Sequence, residues 1–150
     1  MFDVYLTEES VAETDSGVQA VYGKIRIGDF SETFTASMAR WSTSQYELHW
    51  IAALQRILDG AGRSVLITSY VDPFPEGFLF CWPLYRGGET IHVQNRLLFF
   101  DQLLAPFDPN HPWDSIHARR TTNDEGQRIS EWTTDVDSIR ECAARKRRRL

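Results

Sequence analysis

Apolar residues recur at spacings of three and four in one long stretch, Trp41 to Gly62, and at a spacing of two in several others. In the first, Tyr46, Trp50, Ala53, Leu54 and Ile57 form one face of a predicted helix, widened by Leu48, Ile51 and Leu58. Gln45, His49, Gln55, Arg56 and Asp59 keep only a narrow polar stripe. Ser44 followed three residues later by Glu47 fits a capping box, and Gly60 supplies the left-handed residue that ends the helix. A helix this apolar must be covered over much of its girth.

The two-residue period predicts strands. Residues 2–6 read as a short strand, followed by an acidic loop from Glu8 to Gly17. Val21, Ile25 and Ile27 alternate with Tyr22, Lys24 and Arg26; Gly28-Asp29 then turns the chain, with glycine first as a type II′ turn prefers, into a strand carrying Phe30, Phe34, Ala36 and Met38. Residues 64–71 read as a buried strand by β-branched content. Phe78 to Tyr85 is apolar on both faces and should be central, although Pro83 asks for an edge or a bulge. Gly87-Gly88 turns into one strand over residues 89–100, with Ile91, Val93, Leu97 and Phe99 inward and His92, Gln94 and Arg96 outward. Three prolines then punctuate an irregular stretch, and residues 115–121 and 127–133 suggest a last hairpin around Asn123-Asp124-Glu125-Gly126. Val136, Ile139 and Cys142 mark a closing helix from about Asp135 to Arg147. The expected fold is α+β: one domain over residues 1–150, a mostly antiparallel sheet in meander order, one long central helix packed on it and a short C-terminal helix.

Composition changes this picture in two ways. Five Trp and nine Phe are enough to fill a core and still leave one or two aromatics for an interaction surface. The net charge of −5 hides an asymmetry, because Arg145, Lys146, Arg147, Arg148 and Arg149 crowd the end. Without those five, 11 basic residues face 21 acidic ones, a balance of −10. An acidic body repels nucleic acid and attracts basic partners. The basic tail at about 145–150 reads as a flexible, solvated end; a nucleic-acid adaptor would have to work through it. No run of 18 apolar residues and no signal-peptide pattern is present, so a cytoplasmic protein without membrane contact is expected. Cys81 and Cys142 read as free thiols of a reducing compartment.

Chemistry is hard to find. Gly60-Ala61-Gly62 follows a helix instead of preceding one, the reverse of a phosphate-binding turn. His49, His92, His111 and His117 show no metal-ligand spacing, so no metal or other cofactor is expected. Cys81, set among Phe78, Leu79, Phe80 and Trp82, would be inert. Ser130-Glu131-Trp132 has no neighbouring base in sequence. The enzymatic alternative is a small hydrolase or nuclease using surface histidines, with His92, Arg96 and His117 on one face or His111 taking part. The acidic body speaks against it, and no enzyme is the expectation. Aromatic anchors among carboxylates suit a module that binds a basic protein.

Three blocks carry a resemblance. They are Trp41-Ser42-Thr43-Ser44-Gln45-Tyr46-Glu47-Leu48-His49-Trp50 with Ala53-Leu54; Leu66 to Tyr70 with Trp82-Pro83-Leu84-Tyr85-Arg86 and Gln94 to Leu98; and Pro112-Trp113 with Arg119, Glu125-Gly126 and Ile129 to Trp132. In order and spacing, over residues 20–140, the chain resembles the immunity proteins of bacterial contact-dependent growth inhibition. The resemblance implies a cytoplasmic protein that binds the C-terminal toxin domain of a cognate effector. That toxin would be a basic nuclease, a ribonuclease first, inhibited by covering its active or substrate-binding surface. Trp41, Tyr46, Trp50 and Trp132 read as core by their periodicity. Toxin contacts are expected mainly outside the blocks, on loops and wet strand faces: Asp72, Phe74, Glu76, Asp108, His111, Asp114 and Asp124, together with Glu125 at the turn and Trp113 in the Pro-rich loop, which belong to the third block.

Overall fold

A computed structural model describes residues 1–12, 19–71 and 77–150. The expected hairpin forms, but as part of a sheet of its own. Strands β1 (Phe2–Ala12), β2 (Gln19–Ile27) and β3 (Phe30–Ser37) make an antiparallel three-stranded sheet. Gly28 at φ 61° makes the β2–β3 turn, as the type II′ reading requires. β1 runs past the predicted residue 6, because Ser10 to Ala12 re-pair with β2 beyond an irregularity after Leu6. The loop predicted over residues 8–17 is therefore strand at its start; its remainder lies outside the described residues.

A second antiparallel sheet holds β4 (Arg63–Val71), β5 (Phe78–Gly87), β6 (Thr90–Gln94), β7 (Arg96–Phe99) and β8 (Glu131–Asp135), in the order β4-β5-β6-β8 with β7 also on β5. The single predicted sheet is thus two. They meet where Ser37 N donates to Ser69 Oγ at 3.1 Å and where Phe30 stacks on Trp132 with centroids 4.2 Å apart. β5 is central, as its apolar run implied. Pro83 needs neither an edge nor a bulge there. The neighbour of β5 changes at that point, β7 pairing Phe78 to Cys81 and β6 pairing Leu84 to Gly87. The Arg86 amide points to β4, so by strand alternation the Pro83 nitrogen points into the gap and no ladder bond is lost.

The strand predicted over 89–100 breaks at Asn95. The break shifts the alternation by one residue: Ile91 and Val93 are buried as expected, but Leu97 and Phe99 are exposed while Gln94 and Leu98 are buried. Residues 115–121 form no strand; the expected second partner is β8, set four residues later than predicted at its start, and the intervening turn closes on an isolated Thr122–Arg128 bridge.

Helix α1 (Thr43–Leu58) buries Tyr46, Trp50, Ala53, Leu54 and Ile57 completely. Its cap lies two residues earlier than predicted. Ser42 accepts from Gln45 N at 3.2 Å and Gln45 Oε1 accepts from Ser42 N at 2.8 Å, so Ser44 and Glu47 do not form the box. Leu48, assigned to the apolar face, is 54% exposed, and His49, assigned to the polar stripe, is buried. At the other end Gly60 at φ 100° closes a Schellman motif, with Gly60 N on Ile57 O and Ala61 N on Arg56 O. A side chain at that φ is strained, so Gly60→Ala should lower stability by about 1 kcal/mol, read from the urea midpoint at unchanged m-value.

α1 does more than fill space. β4 bulges between Ile67 and Ser69, so Thr68 has no opposite number on β5. The Ile67 amide donates to His49 Nε2 at 2.9 Å, and Trp50 Nε1 donates to the Ile67 carbonyl at 2.8 Å. One helical turn thus satisfies both backbone groups at the bulge. Tyr46 Oη donates to Ser37 O at 2.7 Å and accepts from Tyr70 N at 3.0 Å, tying β3 to β4. Helix α2 (Val136–Arg148) starts on an Asp135 cap and lays Val136, Ile139, Cys142, Ala143 and Lys146 against the body. The stretch expected to be a flexible tail is helical to Arg148. Arg145 donates to Phe2 O, Lys146 is buried against α1 and Arg147 donates to Gln55 Oε1 on the same helix, so only the exposed Arg148 to Leu150 remain beyond these contacts.

Candidate protein-binding surface

Cys81 and Cys142 are free and buried, their thiols pushed up to about 12 and about 11, mainly by burial, and neither is available as a nucleophile. Glu131, from the polar–acidic–aromatic cluster, is committed to structure. It accepts from Arg119 Nε at 2.9 Å and Nη2 at 2.6 Å and from Gln94 Nε2 at 2.8 Å. Those donors, Arg119 first, hold its carboxyl below the usual range. The suggested catalytic face does not assemble. His92 Nδ1 lies 3.4 Å from Glu131, Arg96 lines a different cavity, and the His117 ring binds Gln102 O at 2.9 Å. His111 pairs with exposed Asp108 at 3.2 Å and meets the Trp113 ring edge-to-face. Among the described residues, no group of three or more His, Cys, Asp or Glu is placed to hold a metal.

The predicted contact residues divide into separate groups. Asp72, Phe74 and Glu76 lie outside the described residues. Asp108, His111 and Asp114 are exposed on the Pro-rich loop, where Asn110 N and the His111 ring hold the Asp108 carboxyl below its usual range. Trp113 is half-buried, with the Arg56 guanidinium 5.2 Å from its ring centre. Asp124 and Glu125 sit on the hairpin after Arg120, Asp124 paired with Arg120 at 2.9 Å. No hydrogen bond or ion pair joins the two described groups.

The surface that composition promised is elsewhere. On β5 and β7 the pairings Phe80–Leu97 and Phe78–Phe99 put four apolar side chains on one outer face. Phe80, Leu97 and Phe99 are 43%, 45% and 45% exposed. Beside them opens a cleft of about 560 Å³ between the two sheets, lined by Tyr22, Phe34, Phe80, Trp82 and Leu97. Glu32, accepting from Asn95 Nδ2 at 3.3 Å, rims it. Asn95 and Leu97 also line the neighbouring hollow that holds Asp124 and Glu125. These two predicted contacts thus line a hollow that shares Asn95 and Leu97 with the apolar cleft, while the Asp108 group lines neither. The signal for this face was in the sequence: Phe78-Leu79-Phe80 is apolar on both sides, while the one long helix can cover only one.

Residues 36–142 match the model of the CdiI N-terminal domain. The chain belongs to that family. At 30% identity over 139 residues it is similar to the immunity protein CdiI of Enterobacter cloacae subsp. cloacae, covering 93% of this chain and 94% of the relative. Its fold matches a chain of the CdiA-CT/CdiI toxin and immunity complex from Enterobacter cloacae with a TM-score of 0.85 at 28% identity, over 99% of both chains. The CdiI family assignment bears out the resemblance carried by the three blocks. In this family member Trp41, Tyr46 and Trp50 are core, and half-buried Trp132 covers Trp82 together with Phe30. Among the described residues no helix is long and apolar enough to cross a membrane.

Proposed function

We propose that this chain is the cytoplasmic immunity protein of a contact-dependent inhibition system. It binds the toxin domain of its cognate effector, a nuclease and specifically a ribonuclease, and blocks the active or substrate-binding surface without catalysis of its own. The observation that carries the proposal is the open apolar face of Phe80, Leu97 and Phe99 beside the Tyr22–Trp82 cleft, on a member of a family whose relative is found in a toxin complex. An apolar centre with a polar rim is the anatomy of a specific protein interface. The acidic balance of the body speeds encounter with a basic partner. Asp124 and Glu125 extend this interface; Asp72, Phe74 and Glu76, and the Asp108, His111, Trp113 and Asp114 group, are proposed as further contacts on loops.

Phe80→Asp with Leu97→Asp should weaken toxin binding about 100-fold or more, because a buried anchor is replaced by an uncompensated charge. Both side chains are only partly exposed and face each other across β5 and β7, so paired aspartates also lower the unfolding midpoint of the free protein, and affinity is read where the variant is still folded. Calorimetry with the purified toxin domain reads the affinity, and co-expression reads protection. Unchanged affinity in the double variant would place the interface on another surface. Equal killing by the toxin with and without this protein would sink the functional reading, and a toxin domain that leaves RNA intact would sink the ribonuclease assignment. Added salt should slow association much more than it speeds dissociation.

A further inference from the structure

On this acidic protein one pocket is lined by four arginines. Arg56, Arg63, Arg86 and Arg119 line, with Tyr85 and His92, a hollow of about 600 Å³, and among the described residues no carboxylate lines it. Part of this charge serves the fold. Arg86 Nη1 donates to Ile57 O at 2.7 Å and its Nε to Gly88 O at 2.9 Å, closing the C-terminal end of α1. Arg119 is neutralised by its two bonds to Glu131, and Glu89 lies 3.9 Å from Arg86 Nη2. Among the described residues no carboxylate pairs with Arg56 or Arg63, which leaves two positive charges uncompensated. Arg56 is held on one side only, its Nε donating to Arg63 O at 3.2 Å while its plane lies over Trp113. Its terminal nitrogens keep their donors. The Arg56 guanidinium is positioned before any ligand arrives, which lowers the ordering cost of binding one.

We propose that this pocket binds a phosphate monoester. A monoester carries about −1.5 to −2 charges near neutral pH, which matches the two free guanidiniums, and its three terminal oxygens suit their forked donors. A single carboxylate would leave one charge unmatched. The hollow is much larger than a phosphate group, so the organic part of the ester has room beside Tyr85. This site is distinct from the apolar face assigned to the toxin and does not depend on that assignment: Phe80 and Leu97 line the other cleft and none of the arginines does.

Titration calorimetry of the full chain with phenyl phosphate at low salt tests it, with benzoate as the matched carboxylate. Saturable binding of phenyl phosphate is expected at about pH 7.5, about tenfold or more tighter than benzoate. Arg63→Gln should weaken it about tenfold, while Glu32→Gln, at the other cleft, leaves it unchanged. Arg63 donates no side-chain bond to the fold, and its carbonyl still accepts from Arg56, so the variant should keep the parent unfolding midpoint. Absence of saturable binding at 10 mM ligand (about the weakest affinity worth the name,), equal binding of benzoate, or an unaffected Arg63→Gln would each overturn the proposal. So would loss of toxin capture by Arg63→Gln without phosphate binding, which would put the pocket inside the toxin interface.

Discussion

His49→Gln should remove a large part of the acid sensitivity of this protein. Burial depresses the His49 pKa from 6.5 to about 3 in the folded chain. Between those values the unfolded chain binds a proton that the folded chain refuses. His49 therefore contributes stability that is fully present above pH 6.5 and is lost as pH falls toward 3, at up to about 1.4 kcal/mol per pH unit. Over the whole window the ceiling is roughly 4–5 kcal/mol, comparable to the total stability of many domains. The cause is geometric. His49 Nε2 accepts the Ile67 amide at the β4 bulge, so a proton on that nitrogen would both bury a charge and break the bond. Glutamine carries an amide oxygen that can take the same amide and does not titrate in this range. Urea unfolding at pH 7, 6, 5 and 4 should show a shallower fall for His49→Gln than for the parent. His49→Leu should instead lose about 1–3 kcal/mol at pH 7, since it orphans a buried amide. Parallel pH curves for the parent and His49→Gln would rule out His49 as the titrating group.

The same residue shows where sequence reading ends. The inward face of α1 was legible because helical periodicity is local: five predicted positions are completely buried. His49 was misplaced because its polarity says surface, and only the bulge on β4, 18 residues on, makes a buried acceptor useful there. The cap was misread because Ser42–Gln45 and Ser44–Glu47 both fit the pattern, and Glu47 is claimed by a lysine 99 residues away. Leu97-Leu98-Phe99-Phe100 is apolar at every position, so nothing in it selects a face; the break at Asn95 decides, and it turns Leu97 and Phe99 outward. That shift is what exposes the candidate binding face. The loops chosen from the sequence were acidic and turn-rich, and only Asp124 and Glu125 of the described ones adjoin it. The arginine pocket could not be read at all, because β4 and β5, the end of α1 and the chain before β8 each supply one member.

Glu47→Ala should destabilise the protein by about 2–4 kcal/mol, although Glu47 itself is part-exposed and would pass for a surface residue. The cost falls on its partner. Lys146 is 3% exposed, its ammonium donating to Glu47 Oε2 at 2.8 Å and lying 4.9 Å from the centre of the Trp50 ring. The ring face offers a weak attraction for the cation, but it is no substitute for a carboxylate. Without Glu47 the charge stays buried against α1 unless the end of α2 lifts away. Lys146→Met keeps the aliphatic stem and removes the charge, so it should cost less than Glu47→Ala, and Lys146→Met with Glu47→Ala should regain most of the loss. Chemical denaturation of the four proteins closes a double-mutant cycle, with a coupling of about 1–3 kcal/mol expected. If the singles add, the contact is incidental and the C-terminal helix is held by its apolar face and by the Arg145 and Arg147 hydrogen bonds. If they couple, a run of basic residues that composition marks as a solvated tail is what fastens the second helix of the protein to its first.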